Sequence, residues 1–264
     1  MRRTALITGA SSGIGEAFAE VFAANGFDVV LVARRADRLQ QVAETLMARH
    51  GVAAHVFVRD LAAPQSVDEL CRELDARGLV IDALINNAGY GVPGTFLAPS
   101  WSQHAAQMQV MMSAPAELTY RLLPSMLARR YGRIVNVASL AALAPAPAGH
   151  TLYPAAKAFV VRFSEALSHE VRDAGVHVTA VCPGFTFSEF HDRTGTRERV
   201  SRLPRFLWMD AATVARQGYA AVMAGKTMYV NGRLNLAIAV LSRSLPYGFV
   251  NGVSRRVSKL YRKT

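Results

Sequence analysis

Residues 8–15 read Thr-Gly-Ala-Ser-Ser-Gly-Ile-Gly, and they lie between the short apolar run Thr4–Thr8 and the helical pattern Ile14–Ala24. Glycines permit a tight turn and a close approach of the backbone to phosphate groups, and the first turn of a helix offers unpaired N–H groups to an anion. A strand, a glycine-rich turn and a helix in this order are typical of dinucleotide-binding folds. The sequence therefore predicts that a dinucleotide pyrophosphate is cradled by Gly9, Ser11, Ser12, Gly13, Ile14 and Gly15.

Short apolar runs alternate with helical patterns along most of the chain. The predicted strands are Thr4–Thr8, Asp28–Ala33, Ala54–Arg59, Asp82–Asn86, Arg133–Ala138, Val176–Cys182 and Thr227–Val230. The predicted helices are Ile14–Ala24, Ala36–His50, Pro64–Arg77, Trp101–Arg129, Tyr153–Ala174 and Asp210–Ala224. The alternation predicts an α/β fold, a single Rossmann-type doubly wound parallel sheet of about seven strands with helices on both faces. We expect one domain over residues 1–264, with a core at about 4–230 and a helical basic extension at about 231–264.

The end of the second predicted strand indicates which dinucleotide binds. An NAD site usually has an acidic residue here that bonds the ribose 2′-hydroxyl, whereas this strand ends at Ala33 and continues with Arg34 and Arg35. Two guanidinium groups suit the 2′-phosphate of NADP(H), because they donate charge-assisted hydrogen bonds. The alternative interpretation of the two arginines is a solvated basic loop. We expect NADP(H) as the cofactor.

Three polar residues downstream could carry acid–base chemistry. Ser139 directly follows the predicted strand Arg133–Ala138, and Tyr153 and Lys157 have the spacing that places both side chains on one face of a helix. A tyrosine with an ordinary pKa of about 10 is a poor acid at neutral pH, and a nearby ammonium group favours the phenolate. We therefore expect Lys157 to lower the pKa of Tyr153, and Ser139 to hold a substrate carbonyl.

Together with the glycine turn, these residues resemble the classical short-chain dehydrogenase/reductase family over residues 4 to about 230. Asp60-Leu61 matches the family's pair beside the adenine, Asn86-Asn87-Ala88-Gly89 matches its Asn-Asn-Ala-Gly motif, and Pro183-Gly184 matches its turn near the nicotinamide. The resemblance implies hydride transfer between the nicotinamide and a carbonyl or alcohol carbon, with catalytic Ser139, Tyr153 and Lys157. It also implies further cofactor contacts from Asp60, Leu61, Asn87, Ala88, Gly89, Tyr153, Lys157, Pro183, Gly184, Thr186 and Ser188.

One position departs from the family pattern. An asparagine that anchors a water in the family's proton relay is replaced here by Met111, which has no amide group. Pro115, four residues later, has no N–H and cannot bond the Met111 carbonyl. Our hypothesis is that the relay survives through this backbone carbonyl; alternatively Met111 only fills a gap in the core.

The expected substrate is a small hydrophobic ketone, aldehyde or alcohol. The segment 140–147 after Ser139 is wholly apolar, and the predicted lid from Phe185 to Trp208 contains several aromatic residues. Arginines within that lid favour an alternative, an anionic substrate head. The alternative function is a cofactor-binding sensor or membrane-associated scaffold with little turnover.

The net charge of +11 is concentrated in the C-terminal segment, since no acidic residue follows Asp210. Arg233–Leu245 is an apolar helical pattern, and Phe249–Tyr261 mixes apolar and basic residues at helical spacing. This tail favours either peripheral contact with an anionic membrane surface or docking on a neighbouring subunit, as the family commonly forms homodimers or homotetramers. No recognition motif indicates nucleic-acid binding.

Two cysteines without metal-ligand spacing predict reduced thiols, no metal site, and a cytoplasmic location that includes the inner membrane surface.

Overall fold

The computed structural model describes residues 2–146, 148, 149, 152–187, 189, 204–244 and 252. Within these residues the strands are β1 (Thr4–Thr8), β2 (Asp28–Ala33), β3 (Ala54–Val58), β4 (Ala83–Asn86), β5 (Gly132–Val137), β6 (Val176–Cys182), β7 (Phe185–Phe187), β8 (Trp208–Asp210) and β9 (Met228–Val230). The α-helices are α1 (Gly13–Ala24), α2 (Ala36–His50), α3 (Ser66–Ala76), α4 (Trp101–Met108), α5 (Ala114–Ala128), α6 (Leu152–Val171), α7 (Ala211–Met223) and α8 (Arg233–Ser244).

Seven strands form one parallel sheet in the order β3-β2-β1-β4-β5-β6-β9, which confirms the predicted doubly wound fold. All five residues of β1 are buried, because helices cover both faces of the sheet. Phe18 and Phe22 of α1 belong to the core on one face, and Leu70 and Leu74 of α3 belong to the core on the other. The strand order reverses between β1 and β4, so that a crevice opens beyond the carboxyl ends of these strands.

The prediction of a single α-helix over Trp101–Arg129 is wrong for the middle of this range, where the chain is not α-helical. Its centre is a π-helical turn, Gln109–Ser113, and the N–H of Ala114 donates to the carbonyl of Gln109, five residues back. Pro115 cannot donate to Met111, so the regular i→i−4 pattern is interrupted at this point. The turn separates α4 from α5 and brings Val110 to the edge of the crevice.

A second small sheet was missed by the sequence analysis. Strands β7 and β8 pair in parallel, with Phe185 opposite Trp208 and Phe187 opposite Asp210. The rings of Phe187 and Trp208 stack with centroids 4.7 Å apart. Each strand has only three residues, which is too short for a periodic pattern to be recognised.

The C-terminal helix α8 packs on the domain through a narrow stripe. Asn235 and Ala239 are buried, whereas Leu236, Val240 and Leu241 are 49%, 53% and 56% exposed. Its range agrees with the predicted helix to within one residue, and the predicted pattern Phe249–Tyr261 lies outside the described residues apart from Gly252. In the part of the chain that the structure describes, no helix combines the length and apolar character needed to cross a bilayer.

Candidate active site

The glycine turn has the backbone geometry that a phosphate cradle needs. Gly9 and Gly13 have positive φ angles of 68° and 60°, which L side chains adopt only with strain. A Cβ on Gly15 would overlap the carbonyl oxygen of Gly9, and a Cβ on Gly9 would lie 2.8 Å from the amide nitrogen of Asn87. Helix α1 begins at Gly13, and its first N–H groups have no partner within the helix. These features fit the pyrophosphate of a dinucleotide.

Asn87 and Thr8 hold this turn against the end of β4. The Asn87 side-chain amide donates to the carbonyl of Thr8 at 2.9 Å, and the Thr8 hydroxyl accepts from the N–H groups of Asn87 and Ala88, both at 3.0 Å. Thr8 is 2% exposed, so these bonds are shielded from water. The motif Asn87-Ala88-Gly89 therefore supports the turn as well as facing the crevice.

The two arginines after β2 have different surroundings. Arg35 lies over the glycine turn, where its guanidinium donates to the hydroxyls of Ser12 at 2.8 Å and Ser11 at 3.1 Å. Arg34 has a more exposed side chain and lies 3.9 Å from the Asp60 carboxylate. Cationic groups at the end of β2, with no acid at Ala33, suit a 2′-phosphate.

A cavity of about 850 Å³ occupies the crevice. It is lined by the predicted site residues Gly9, Ser11, Ser12, Gly13, Ile14, Arg34, Arg35, Asp60, Leu61, Asn87, Ala88, Gly89, Ser139, Tyr153, Lys157, Pro183, Gly184 and Thr186. Gly15 is not part of the lining and acts instead through its close contact with Gly9. Ser188 lies outside the described residues.

Ser139, Tyr153 and Lys157 meet at this cavity although they come from two different elements. Ser139 follows β5 and caps a short 3₁₀ turn, where its hydroxyl accepts from the N–H of Ala141 at 3.1 Å. Tyr153 and Lys157 project from the start of α6, and the Tyr153 phenol is hydrogen-bonded to Ser139. The Lys157 ammonium donates to the carbonyl of Val137 at 2.7 Å and lies 5.9 Å from the centre of the Tyr153 ring.

Burial shifts the pKa of Tyr153 more than the neighbouring Lys157 ammonium does. Desolvation raises the pKa of Tyr153, and the hydrogen bond with Ser139 opposes that shift only in part. Desolvation also lowers the pKa of Lys157 from 10.5 to about 8. The net lowering of the Tyr153 pKa that the sequence predicts is therefore not observed, because both groups are withdrawn from water and the ammonium is bonded to Val137.

Met111 is buried beside the lysine. Its side chain is 1% exposed, and a Cβ placed on Gly89 would lie 3.6 Å from both the Met111 Cγ and the Lys157 Nζ. The thioether thus contributes apolar surface where an amide was expected from the family pattern. We keep the hypothesis that the relay passes through the Met111 carbonyl. Pro115, two residues after the π-helical turn, has no N–H that could donate to this carbonyl.

Several lining residues were not singled out as site residues from the sequence. The wall next to Ser139 consists of Leu140, Ala141, Ala144 and Pro145, as the apolar segment predicts, and Phe185 lies on the same cavity. Tyr90, Val110 and Glu189 also line it and were missed. Tyr90 directly follows the Asn-Asn-Ala-Gly motif, which is a signal that could have identified it. The lid arginines Arg193, Arg197, Arg199 and Arg202 lie outside the described residues.

Comparisons with known proteins agree with this geometry. The family model described as short chain dehydrogenase matches residues 3–199. A nodulation protein G of Rhizobium sp. (strain N33) is 34% identical over 241 residues, covering 88% of this chain and 96% of the relative. A short-chain dehydrogenase from Sphingobium yanoikuyae, solved with NADPH, is 32% identical with a TM-score of 0.80, and the match covers 92% of this chain and 96% of that one. A short chain dehydrogenase/reductase from Burkholderia phymatum, solved with NAD, is 27% identical with a TM-score of 0.81, covering 96% and 95%.

Proposed function

The chain belongs to the short-chain dehydrogenase family and is an oxidoreductase, and we propose that it interconverts a hydrophobic ketone or aldehyde and its alcohol with NADP(H). When bound, the nicotinamide dinucleotide supplies or accepts the hydride. The cradle around Gly9, Gly13 and Gly15 would hold its pyrophosphate, and Arg34 with Arg35 would hold the 2′-phosphate.

The observation that carries this proposal is the convergence of Ser139, Tyr153 and Lys157 on the cavity that the glycine turn also lines. A protein that only bound a dinucleotide would have no use for this group. The raised pKa of Tyr153 keeps the phenol protonated, so that it can donate a proton to a carbonyl oxygen during reduction. Ser139 would donate a hydrogen bond to the same oxygen, and Lys157 would orient the nicotinamide ribose.

The apolar wall supports a hydrophobic substrate. Leu140, Ala141, Ala144, Pro145 and Phe185 surround the space next to Ser139 with hydrocarbon surface, and burial of apolar substrate groups against them is favourable by about 25 cal/mol per Å². An anionic head group would need a cation at this wall. Among the described lining residues the arginines and lysines are Arg34, Arg35, Arg59 and Lys157. Arg34 and Arg35 belong to the proposed phosphate site, and Lys157 donates to the Val137 carbonyl.

The test follows NADPH consumption against a panel of ketones of increasing size and against matched keto acids. We expect turnover that improves with apolar size, and a loss of about 10²- to 10⁴-fold in kcat for Tyr153→Phe. The matched control is Tyr120→Phe, which removes the hydroxyl of a tyrosine that is 79% exposed on α5. Tight NADPH binding with no turnover across the panel would favour the sensor instead, and a preference for keto acids would overturn the hydrophobic substrate.

A second proposal concerns the exposed apolar side of α8. Leu234, Leu236, Val240 and Leu241 are 44–56% exposed, and every charged residue after Asp210 in the chain is basic. An apolar helix face in a basic context matches an anionic membrane surface, so we propose peripheral contact with such a surface.

Sedimentation with vesicles that contain anionic lipid tests this contact. We expect the double variant Leu236→Ser, Leu241→Ser to lose binding, whereas Tyr120→Ser, which removes a more exposed aromatic side chain from α5, should retain it. Light scattering on the same samples measures the proposed homo-oligomer. A lower mass of the double variant without any vesicle binding by the unmodified protein would assign the face to a subunit contact instead.

A further inference from the structure

Glu189 is an acidic residue in a place where the proposed cofactor brings negative charge. It lies two residues beyond β7, on the chain that leaves the Pro183–Gly184 turn, and it lines the main cavity. Its carboxylate lies 2.9 Å from the Arg35 guanidinium and 3.8 Å from that of Arg38. No role for Glu189 was predicted from the sequence.

The contacts of Arg35 show what this carboxylate does to the cation. One terminal nitrogen of Arg35 donates to Ser11 and Ser12 of the glycine turn, and the other terminal nitrogen faces Glu189. The guanidinium edge that could form a bidentate pair with a phosphate is thus already shared with a carboxylate. Arg38 and Glu16 also belong to this cluster. Arg38 faces the Glu189 carboxylate, and Glu16 interacts electrostatically with Arg38, Arg35 and Glu189.

Arg34 is less constrained than Arg35. Its side chain is 58% exposed, and its partner Asp60 is 3.9 Å away, which is at the outer limit of an ion pair. A 2′-phosphate near the end of β2 would therefore meet one accessible guanidinium and one that is already neutralised. Two anions cannot occupy the same edge of Arg35 without repulsion.

We propose that Glu189 tunes cofactor selectivity by competing with the 2′-phosphate of NADP(H) for Arg35. The inference rests on the proposed use of NADP(H). Binding of the phosphorylated cofactor displaces the carboxylate from Arg35, and part of the binding free energy is spent on breaking that ion pair. NADH has no 2′-phosphate and leaves the pair in place, so Glu189 narrows the difference in affinity between the two cofactors.

The experiment measures dissociation constants of NADPH and NADH by fluorescence titration for the unmodified protein, Glu189→Gln and Glu189→Ala. Both variants should bind NADPH about two- to fivefold more tightly, the range that partly exposed ion pairs reach, and should bind NADH with little change. The gain should shrink at high salt, because screening weakens the competition between the two anions.

Asp37→Asn is the matched control. Asp37 lies in the first turn of α2, so the variant removes one negative charge from the same region while both ion pairs of Glu189 remain. It should leave the NADH-to-NADPH affinity ratio unchanged. An unchanged ratio in both Glu189 variants, or weaker NADPH binding, would overturn the inference. The ratio in the unmodified protein separately tests the proposed NADP(H) preference, so the two failures are distinguishable.

Discussion

Replacement of Lys157 by methionine should reveal the cost of burying its ammonium group. The side chain is 6% exposed, and desolvation lowers its pKa from 10.5 to about 8. A depressed lysine pKa means that the unfolded chain binds a proton more readily than the folded one, so stability falls as the pH drops from about 10.5 through about 8. Each pKa unit corresponds to about 1.36 kcal/mol, so the full penalty is about 3 kcal/mol below that range.

The assay is urea unfolding of the unmodified protein and Lys157→Met at several pH values between 7 and 10. The difference between the two proteins cancels the titration of all other groups that the substitution leaves unchanged. We expect the unmodified protein to gain roughly 2–3 kcal/mol relative to the variant from pH 7 to pH 10. At any one pH the variant also loses the bond from Lys157 to the Val137 carbonyl, an offset of about 1–3 kcal/mol that does not titrate.

A stability difference that stays flat with pH would refute this reasoning. It would mean that water or a nearby acid solvates the ammonium in the folded protein, and that burial does not depress its pKa. Lys226→Met is the control, because it makes the same substitution at an exposed lysine rather than at a buried one.

Three further outcomes are expected. Gly15→Ala should abolish NADPH binding and lower the melting temperature, because its Cβ would overlap the carbonyl of Gly9; both can be measured by fluorescence titration and thermal unfolding. Asn235→Leu should raise the KM for NADPH and destabilise the protein by about 1–3 kcal/mol, because it removes a buried amide that packs on Gly184. An unchanged KM would show that α8 does not support the Pro183–Gly184 turn. Met111→Asn should raise kcat if the proton relay limits the rate, and an unchanged kcat would mean that another route carries the proton.

Much of the fold could be predicted because its signals are local. The runs Thr4–Thr8, Asp28–Ala33 and Val176–Cys182 were assigned with the bounds that the structure has, since buried parallel strands are apolar along their whole length. The glycine turn was equally clear, because its backbone requirements exclude other residues. The π-helical turn at Gln109–Ser113 was missed, although Pro115 was noted, because a helical pattern does not show how the chain compensates for a lost N–H.

The candidate site was predicted less evenly. Asn87 was predicted from its resemblance to a family motif and Tyr153 from its helical spacing with Lys157, and both residues line the cavity. Glu189 was missed because its partner Arg35 lies far away in the sequence, and nothing in either segment indicates the other. Val110 was missed because it lies in the π-helical turn, which the helical pattern does not indicate, whereas Tyr90 could have been identified from its place after the Asn-Asn-Ala-Gly motif.

The sequence by itself determined the order of the strands of the main sheet and of the helices between them, and it predicted the position of the phosphate cradle and the proposed acid–base group. These depend on backbone restrictions and residue periodicity, which act over a few neighbouring residues. Only the tertiary structure decided the pKa directions of Tyr153 and Lys157, the pairing of Arg35 with Glu189 and the contact of α8 with Gly184. Desolvation and ion pairing depend on which distant segments surround a group, and that is set when the chain has packed.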